Sequence, residues 1–401
     1  MPRILALLAA AALSLGAAVV ASHARAQQAP TIPPLKGEVG EQSEPGGVGR
    51  PASTARLDPA ELNRAQSTLG FRLIAAMARQ PDGDGNLMVS PASLAAVMAL
   101  LDLGASADMR AGVYKVLGFE EGGPEISADR LAALRATVKL MQSDAEGALT
   151  SASSIVFDPA AAPSAQIAAQ LADSGAQVTV EDLNDAATIS RINEWVAART
   201  RGLIPSIIEQ APREPGLVAL NALHFKDRWK NAFDDSLTRP AAFQGLAGAL
   251  GDVPMMQSEG SLRLREEGAF VAVELPYASD RFRLVVITTK ARPASAAEFE
   301  EVADWLSGEG FESRPGEVSM PRFRLTGSAD LLATLDTLGL KPARLSPGAL
   351  AGLSPAGMAI AQVLQRTEIR VDEAGTEAAA ATAVTTTRAI ATDFAKVVID
   401  K

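Results

Sequence analysis

From Leu57 onward the apolar positions fall into runs with two different periods. Leu62, Ala65, Leu69, Leu73 and Ala76 recur every three or four residues, the spacing of one helical face. Asp58, Pro59 and Glu61 stand where an N-cap, a first-turn proline and the far half of a capping box belong, so a helix is predicted to start there. A second helix is predicted from Ser90-Pro91, with Leu94, Val97, Met98 and Leu101 as its buried stripe. Further helices are predicted over 125–142, 163–173, 184–200, 295–306 and 328–338. Strand-like runs lie between them, at 153–157, 177–180, 217–225, 270–275, 282–289, 317–325 and 359–371. Helices come first and strands dominate later, without a regular βαβ order. That pattern predicts an α+β fold with antiparallel or mixed sheets. Neither a repeat nor a second linker breaks it, so one domain over 57–401 is expected.

Two segments precede that domain. Arg3, the apolar stretch over 4–20 and the Ala24-Arg25-Ala26 site read as a cleavable secretory signal over 1–26. Residues 27–56 alternate prolines (Pro30, Pro33, Pro34, Pro45, Pro51) with glycines, a composition that cannot bury enough surface to offset ordering entropy. They are expected to form a disordered linker. The expected location is secreted or periplasmic, with no membrane contact after the signal is cut.

Composition narrows the chemistry. The chain has 401 residues, 47% of them apolar and 4% aromatic, so a sizeable core must be built mostly from aliphatic side chains. Its formal net charge is -10 and no basic cluster appears, which argues against a nucleic-acid partner. Cysteine is absent, which removes disulfides, thiol nucleophiles and thiolate metal sites. With only His23 and His224, zinc sites of two or three histidines are excluded, and any Ser-His-Asp triad would have to run through His224. His224 lies in the apolar run over 220–225 and reads as a strand residue at a sheet margin. Nucleophile-elbow, S-x-x-K, P-loop and dinucleotide motifs are all missing. The Asp82-Gly83-Asp84-Gly85-Asn86 run fails as a calcium loop, because Leu87 and Ser93 occupy its glycine and glutamate positions. No metal, cofactor or catalytic residue is expected, and an extracellular hydrolase is the weakest reading.

Several segments together resemble the serpin family of serine protease inhibitors. They are Asn86-Leu-Met-Val-Ser90-Pro91-Ala-Ser93-Leu94, then Ile192-Asn193-Glu-Trp195-Val196 with Thr200-Arg-Gly202-Leu-Ile204, then Leu220-Asn221-Ala222-Leu223-His224-Phe225-Lys226 with Trp229 and Phe233. Val253-Pro254-Met255-Met256, Glu274-Leu275-Pro276-Tyr277 and Met320-Pro321-Arg322-Phe323 follow in the family's order. Last comes Glu373-Ala-Gly375-Thr376-Glu377-Ala378-Ala379-Ala380-Ala381-Thr382, which resembles the family hinge.

The resemblance implies helices around a large central mixed sheet A, smaller B and C sheets, and an exposed reactive loop over 373–392. In isolation the alanine run reads as helix. Its place between a strand pattern and β-branched Val384-Thr385-Thr386-Thr387 predicts a strand instead, with Thr376, Ala378, Ala380, Thr382 and Val384 on one uncharged face. By resemblance, a target serine protease cleaves the loop, and the loop inserts into sheet A while the protease is still a covalent acyl-enzyme. The inhibitor acts as a monomer and needs no triad. Family loop length puts the reactive bond between Ala389 and Ile390; a loop one residue shorter puts it between Arg388 and Ala389. Ser90, Ser93, Asn221 and Gln365 match the polar shutter under the centre of the sheet, with Gln365 where the family often has histidine. Trp229 matches the tryptophan of the breach, where insertion begins. The sequence stops at Val397-Val398-Ile399-Asp400-Lys401, before the last two B-sheet strands the family implies. The alternative expectation is a non-inhibitory or truncated relative that is a binding protein or a plain protease substrate.

Overall fold

Side-chain caps at Ser90, Ser164 and Asp185 start three of the helices near where the pattern expects them, and long-range pairing decides the strands. The computed structural model describes residues 59–80, 86–119, 128–135, 148–212, 216–245, 248–354, 358–376 and 394–401. Residues 1–26 and 27–56, expected as signal and linker, lie outside that set. Helix α1 (Pro59–Ala78) sends Leu69, Leu73 and Ala76 into the core. Helix α2 (Pro91–Leu101) starts at Ser90, whose hydroxyl accepts from the Ser93 N–H, with Pro91 in the first turn. Ten of its eleven residues, Ala92–Leu101, are buried, so it runs through the core. Helices α3 (Ala107–Leu117), α4 (128–135), α5 (Ala165–Asp173), α6 (Ala186–Arg199), α7 (Leu332–Thr337) and α8 (Lys341–Arg344) follow.

The large sheet has seven strands, in the order β2 (Gln177–Val180), β1 (Leu149–Phe157), β3 (Leu217–Phe225), β11 (Ile360–Asp372), β12 (Gly375–Thr376) and β4 (Asp227–Arg228), with β10 (Phe323–Asp330) also paired to β11. All nine residues of β3 are buried, the polar Asn221 and His224 among them, which fits a mostly apolar central strand covered on both faces. His224 therefore stands mid-sheet, between β1 and β11, and not at the margin the sequence suggested.

The second sheet has six strands: β13 (Ala395–Val398), β9 (Glu312–Pro321), β6 (Gly248–Glu267), β7 (Phe270–Pro276) and β8 (Arg283–Thr289), with β5 (Arg239–Gly245) paired to β6. The twenty residues of β6 pair with β5 and β9 along one part and with β7 further on. The two smaller sheets of the resemblance are thereby joined in one ladder.

One core lies between α1, α2 and α3 and the inner face of the large sheet, where Ile155, Leu217 and Val363 point. A second lies between the sheets, joining Phe225, Trp229 and Val371 to Met256, Val286 and Met320. Helix α6 covers the outer face through Ile192 and Val196, packed on Val156, Val218 and Leu220.

Two expected helices differ. Over 328–338, Ser328, Ala329 and Asp330 belong to β10, held in register with Arg366, Gln365 and Leu364. Asp330 then accepts from the Leu332 and Val363 N–H groups, so the helix waits until Leu332. The segment expected over 295–306 is a 3-10 helix, Glu298–Ser307, interrupted at Val302.

Candidate functional site

A buried polar cluster joins α2 to β11 beneath the large sheet. The Ser90 N–H donates to Gln365 Oε1 at 2.6 Å, and Gln365 Nε2 donates back to the Ser90 carbonyl at 3.0 Å. The Ser90 hydroxyl donates to Ser93 Oγ at 2.8 Å. An amide suits this place because it donates and accepts at once, without a charge. Asn221 stands opposite Gln365 across the β3–β11 seam and donates to Ser153 Oγ at 3.0 Å. Asn221 Oδ1 is buried and has no donor among the described residues. Of the four residues expected here, Ser90, Ser93 and Gln365 are joined directly, and Asn221 lies beside Gln365 as its ladder partner. Ser153, which the sequence reading missed, is a fifth; its only signal was a serine in a strand otherwise fit for burial.

The second cluster holds the start of the hinge. Trp229 is 5% exposed; its ring stacks on Tyr277 at 4.5 Å, and its Nε1–H donates to the Asp372 carbonyl at 2.9 Å. The hinge turns at Glu373 and Ala374 and returns as β12, with Thr376 beside Val371 and Gly375 beside Asp372. Gly375 has φ 154°, and a Cβ there would sit 2.3 Å from the Asp227 carbonyl oxygen, so only glycine fits. Thr376 is fully buried and shares a 2.7 Å hydrogen bond with the Tyr277 hydroxyl. Burial pushes the Tyr277 phenol well above its ordinary pKa, against the opposing effect of the Thr376 bond, so it stays neutral.

Glu373 anchors the turn. Its carboxylate accepts from the Arg322 guanidinium and, at 2.6 Å, from the Thr238 hydroxyl. Burial opposes the charge, but the bonds from Arg322 and Thr238 outweigh it and hold the carboxyl below its ordinary value. A group so shifted adds stability that is complete above the unfolded value, about pH 4.3, and is lost as pH falls through the folded one. Glu373→Gln is therefore expected to lose less stability than the parent between pH 5 and pH 3. Urea midpoints at both pH values would check it, and parallel losses in the two proteins would contradict it.

Residues Glu377, Ala378, Ala379, Ala380, Ala381 and Thr382 of the expected hinge, and Arg388, Ala389 and Ile390 around the reactive bond, lie outside the described residues. Tyr277, Thr238 and Arg322 were not singled out as site residues, although Tyr277 and Arg322 fall inside quoted motifs. Among the described residues, no group of three His, Asp or Glu side chains is placed to hold a metal ion.

Both clusters lie in the part of the chain that resembles known proteins. The sequence model of the family described as Serpin (serine protease inhibitor) matches residues 64–401. Serpin B6 of Macaca fascicularis is 26% identical over 341 residues, spanning 80% of this chain and 88% of that protein. The native-state structure of the thermophilic serpin Tengpin superposes with a TM-score of 0.75 at 25% identity, over 87% of this chain and 90% of that one. Thyroxine-binding globulin in complex with thyroxine gives 0.71 at 18% identity, over 85% and 93% of the two chains, a likeness of fold alone.

Proposed function

The chain belongs to the serpin family, and from that premise we propose that it is a suicide-substrate inhibitor of serine endopeptidases, working by insertion of its cleaved loop into the large sheet. One observation carries the reading: β12 already lies between β11 and β4 in a register that the rest of the hinge can continue. Thr376 pairs with Val371 on one side and Asp227 on the other, and Gly375 with Asp372 and Arg228. Continued residue by residue on insertion, the two ladders would bring Ala379 between Glu368 and His224, and Thr382 between Gln365 and Asn221. Those pairs, Glu368 with His224 and Gln365 with Asn221, are already partners across the closed seam. A strand entering there needs β3 and β11 to move apart sideways, with no slip along their length.

The faces agree as well. Thr376 points inward, so with period two Ala378, Ala380, Thr382 and Val384 follow it inward, all uncharged. The Thr382 hydroxyl would arrive beside Asn221 Oδ1, a buried acceptor that has no donor among the described residues. An inserted strand gains a ladder on both sides, where the closed sheet has the single β3–β11 ladder, so insertion is downhill once the loop is cut.

The chemistry belongs to the protease. Its serine attacks the carbonyl of Ala389, the amine of Ile390 leaves, and an acyl-ester remains on Ala389. Insertion carries that ester away before water hydrolyses it. An alanine at the cut suits a protease with a small pocket, whereas cleavage after Arg388 would suit an acidic one. The signal-like N-terminus makes the meeting place extracellular or periplasmic.

Incubation with elastase-like, subtilisin-like and trypsin-like proteases tests the proposal. The expected result is a complex that survives boiling in detergent, with a released peptide whose mass begins at Ile390. A peptide beginning at Ala389 would move the bond to Arg388. Cleaved chain without complex across the panel would leave a plain substrate and overturn the inhibitory reading.

A further inference from the structure

Among the described residues five large apolar side chains are exposed, and two of them, Phe394 at 39% and Val398 at 37%, belong to β13 and the residue before it. The segment alternates. Ala395 packs against the core between the sheets, and Val397 and Ile399 are buried within it. Phe394, Lys396 and Val398 are exposed and share the opposite face. The inward set and the parallel ladder to β9 hold the strand in place, and the Ile399 N–H donates to the Ser319 carbonyl at 2.8 Å. Carried one place back, that ladder sets Phe394 beside Pro315, which is exposed too. Lys396 lies between the two apolar side chains, with its Nζ 3.3 Å from Glu317 Oε1. A strand face open to water ordinarily carries polar residues. Apolar side chains gathered around one ion pair make up a contact surface instead.

We infer that Phe394, Pro315 and Val398 form a docking surface for the target protease, set against the rim of its cleft on the side that receives the residues after the cut. The inference rests on the inhibitory reading above. Chain connectivity identifies the occupant. Phe394 stands four positions after Ile390, and four residues span at most about 14 Å. Cleavage after Arg388 would add one residue, about 3.5 Å more. A domain of about 200 residues has a radius of gyration of about 16 Å, and its surface lies further out still. A protease seated on the cut therefore overhangs Phe394 whatever course the intervening residues take. Val398 lies about 13 Å further along the strand, at the margin of that footprint. The partner that fits is a serine endopeptidase with apolar side chains on that rim, for which Lys396 and Glu317 supply polar contacts. An alanine at the cut suits every small-pocket protease alike, so a contact outside the pocket discriminates among them. Phe394 and Val398 are specificity residues in that sense, and neither touches the reacting bond.

The test reads docking and trapping separately. Phe394→Ser, Val398→Ser, the double variant and Leu345→Ser are each mixed with the serine protease that cleaves the parent fastest. Leu345, at the end of α8, is another exposed apolar position and serves as the control. The second-order rate of cleavage within 377–393 is measured, with the ratio of complex to cleaved chain alongside. An aromatic contact near the centre of the footprint outweighs an aliphatic one at its margin, so Phe394→Ser should lower the rate about tenfold and Val398→Ser about threefold. Leu345→Ser should stay within about twofold of the parent, since no partner is assigned to it. The ratio of complex to cleaved chain should be unchanged throughout, because docking precedes insertion. Phe394→Tyr keeps the ring and should keep the parent rate. The exposure of both residues makes loss of folding an unsuitable explanation for a slower rate, and equal urea midpoints check it. A parent that is cleaved without forming complex would remove the inhibitory reading, while the cleavage rates would still report on docking. An unchanged rate in the double variant would overturn the docking surface and leave insertion standing. Sedimentation gives the other occupant: a parent dimer that the double variant abolishes would assign the patch to a second copy of the chain and overturn the inference.

Discussion

Thr376→Arg is expected to convert the protein from a trap into an ordinary substrate. Thr376 is fully buried against Tyr277, and it already pairs with β11 on one side and with β4, just beyond β3, on the other. An arginine there must either stay outside, which unseats β12, or enter and bring a charge among apolar rings. Burying an unpaired charge costs several kcal/mol. At about 1.4 kcal/mol per tenfold in rate, insertion should slow by two orders of magnitude or more. Hydrolysis of the acyl-enzyme proceeds at its own pace and overtakes it. Denaturing gels should show a boiling-stable complex for the parent and only cleaved chain for the variant. Thr376→Val keeps the shape and loses only the hydroxyl, so most of its complex should survive. Equal complex from the parent and the arginine variant would contradict the burial argument.

Trp229→Ala should destabilise the whole molecule. The indole stacks on Tyr277, meets Phe233 edge-on with ring centres 6.2 Å apart, and ties the hinge through its bond to the Asp372 carbonyl. Truncating a buried aromatic to alanine costs about 3–5 kcal/mol through lost contacts and the cavity left behind. Here a buried carbonyl also loses its donor. Trp229→Phe retains a ring in the stack and removes mainly the hydrogen bond, for an expected loss of about 1–2 kcal/mol. Urea unfolding followed by circular dichroism gives both values. A loss below about 1 kcal/mol in the alanine variant would mean that the pocket closes over the gap and that Trp229 contributes little.

The sequence was most legible where a local signal and a tertiary role coincide. The cap at Ser90, the mostly apolar run of β3 and the Gly375-Thr376 start of the hinge state their own environments. The resemblance then brought Ser90, Ser93, Asn221 and Gln365 together although they are far apart in the chain. Strand β6 was not foreseen, because Gly248-Ala-Leu-Gly251-Asp-Val-Pro254 reads as turn-forming and its extended shape comes from pairing with β5 and β9. The first residues of β1 likewise take their shape from pairing with β3, whereas α3 carries a local signal that went unused: Ser106 caps it, Gly118 ends it, and Met109, Val113 and Val116 recur at helical spacing. In the site, Thr238 gave no signal at all: a threonine after a polar turn is ordinary until the fold sets Glu373 beside it. His224 was read as marginal because histidine is uncommon in a fully covered strand.

The parallel contact between β3 and β11 joins distant parts of the chain, since Asn221 and Gln365 are partners while 365 − 221 = 144 positions apart. By contrast, β12 folds back on β11 through a turn of only Glu373 and Ala374. Closing the short turn costs far less chain entropy than closing the long loop, and it does so sooner. In a free, full-length unfolded chain, the flank of β11 therefore has two unequal claimants, and the tethered one reaches it first. Synthesis from the N-terminus reverses that order. By the time β11 is made, β1 and β3 have had some 140 residues of elongation in which to pair, several seconds or more at usual ribosomal rates. On the insertion proposed above, the resting arrangement of this sheet is thus one that translation would favour and that refolding from denaturant would work against, so the history of a sample would become part of its structure.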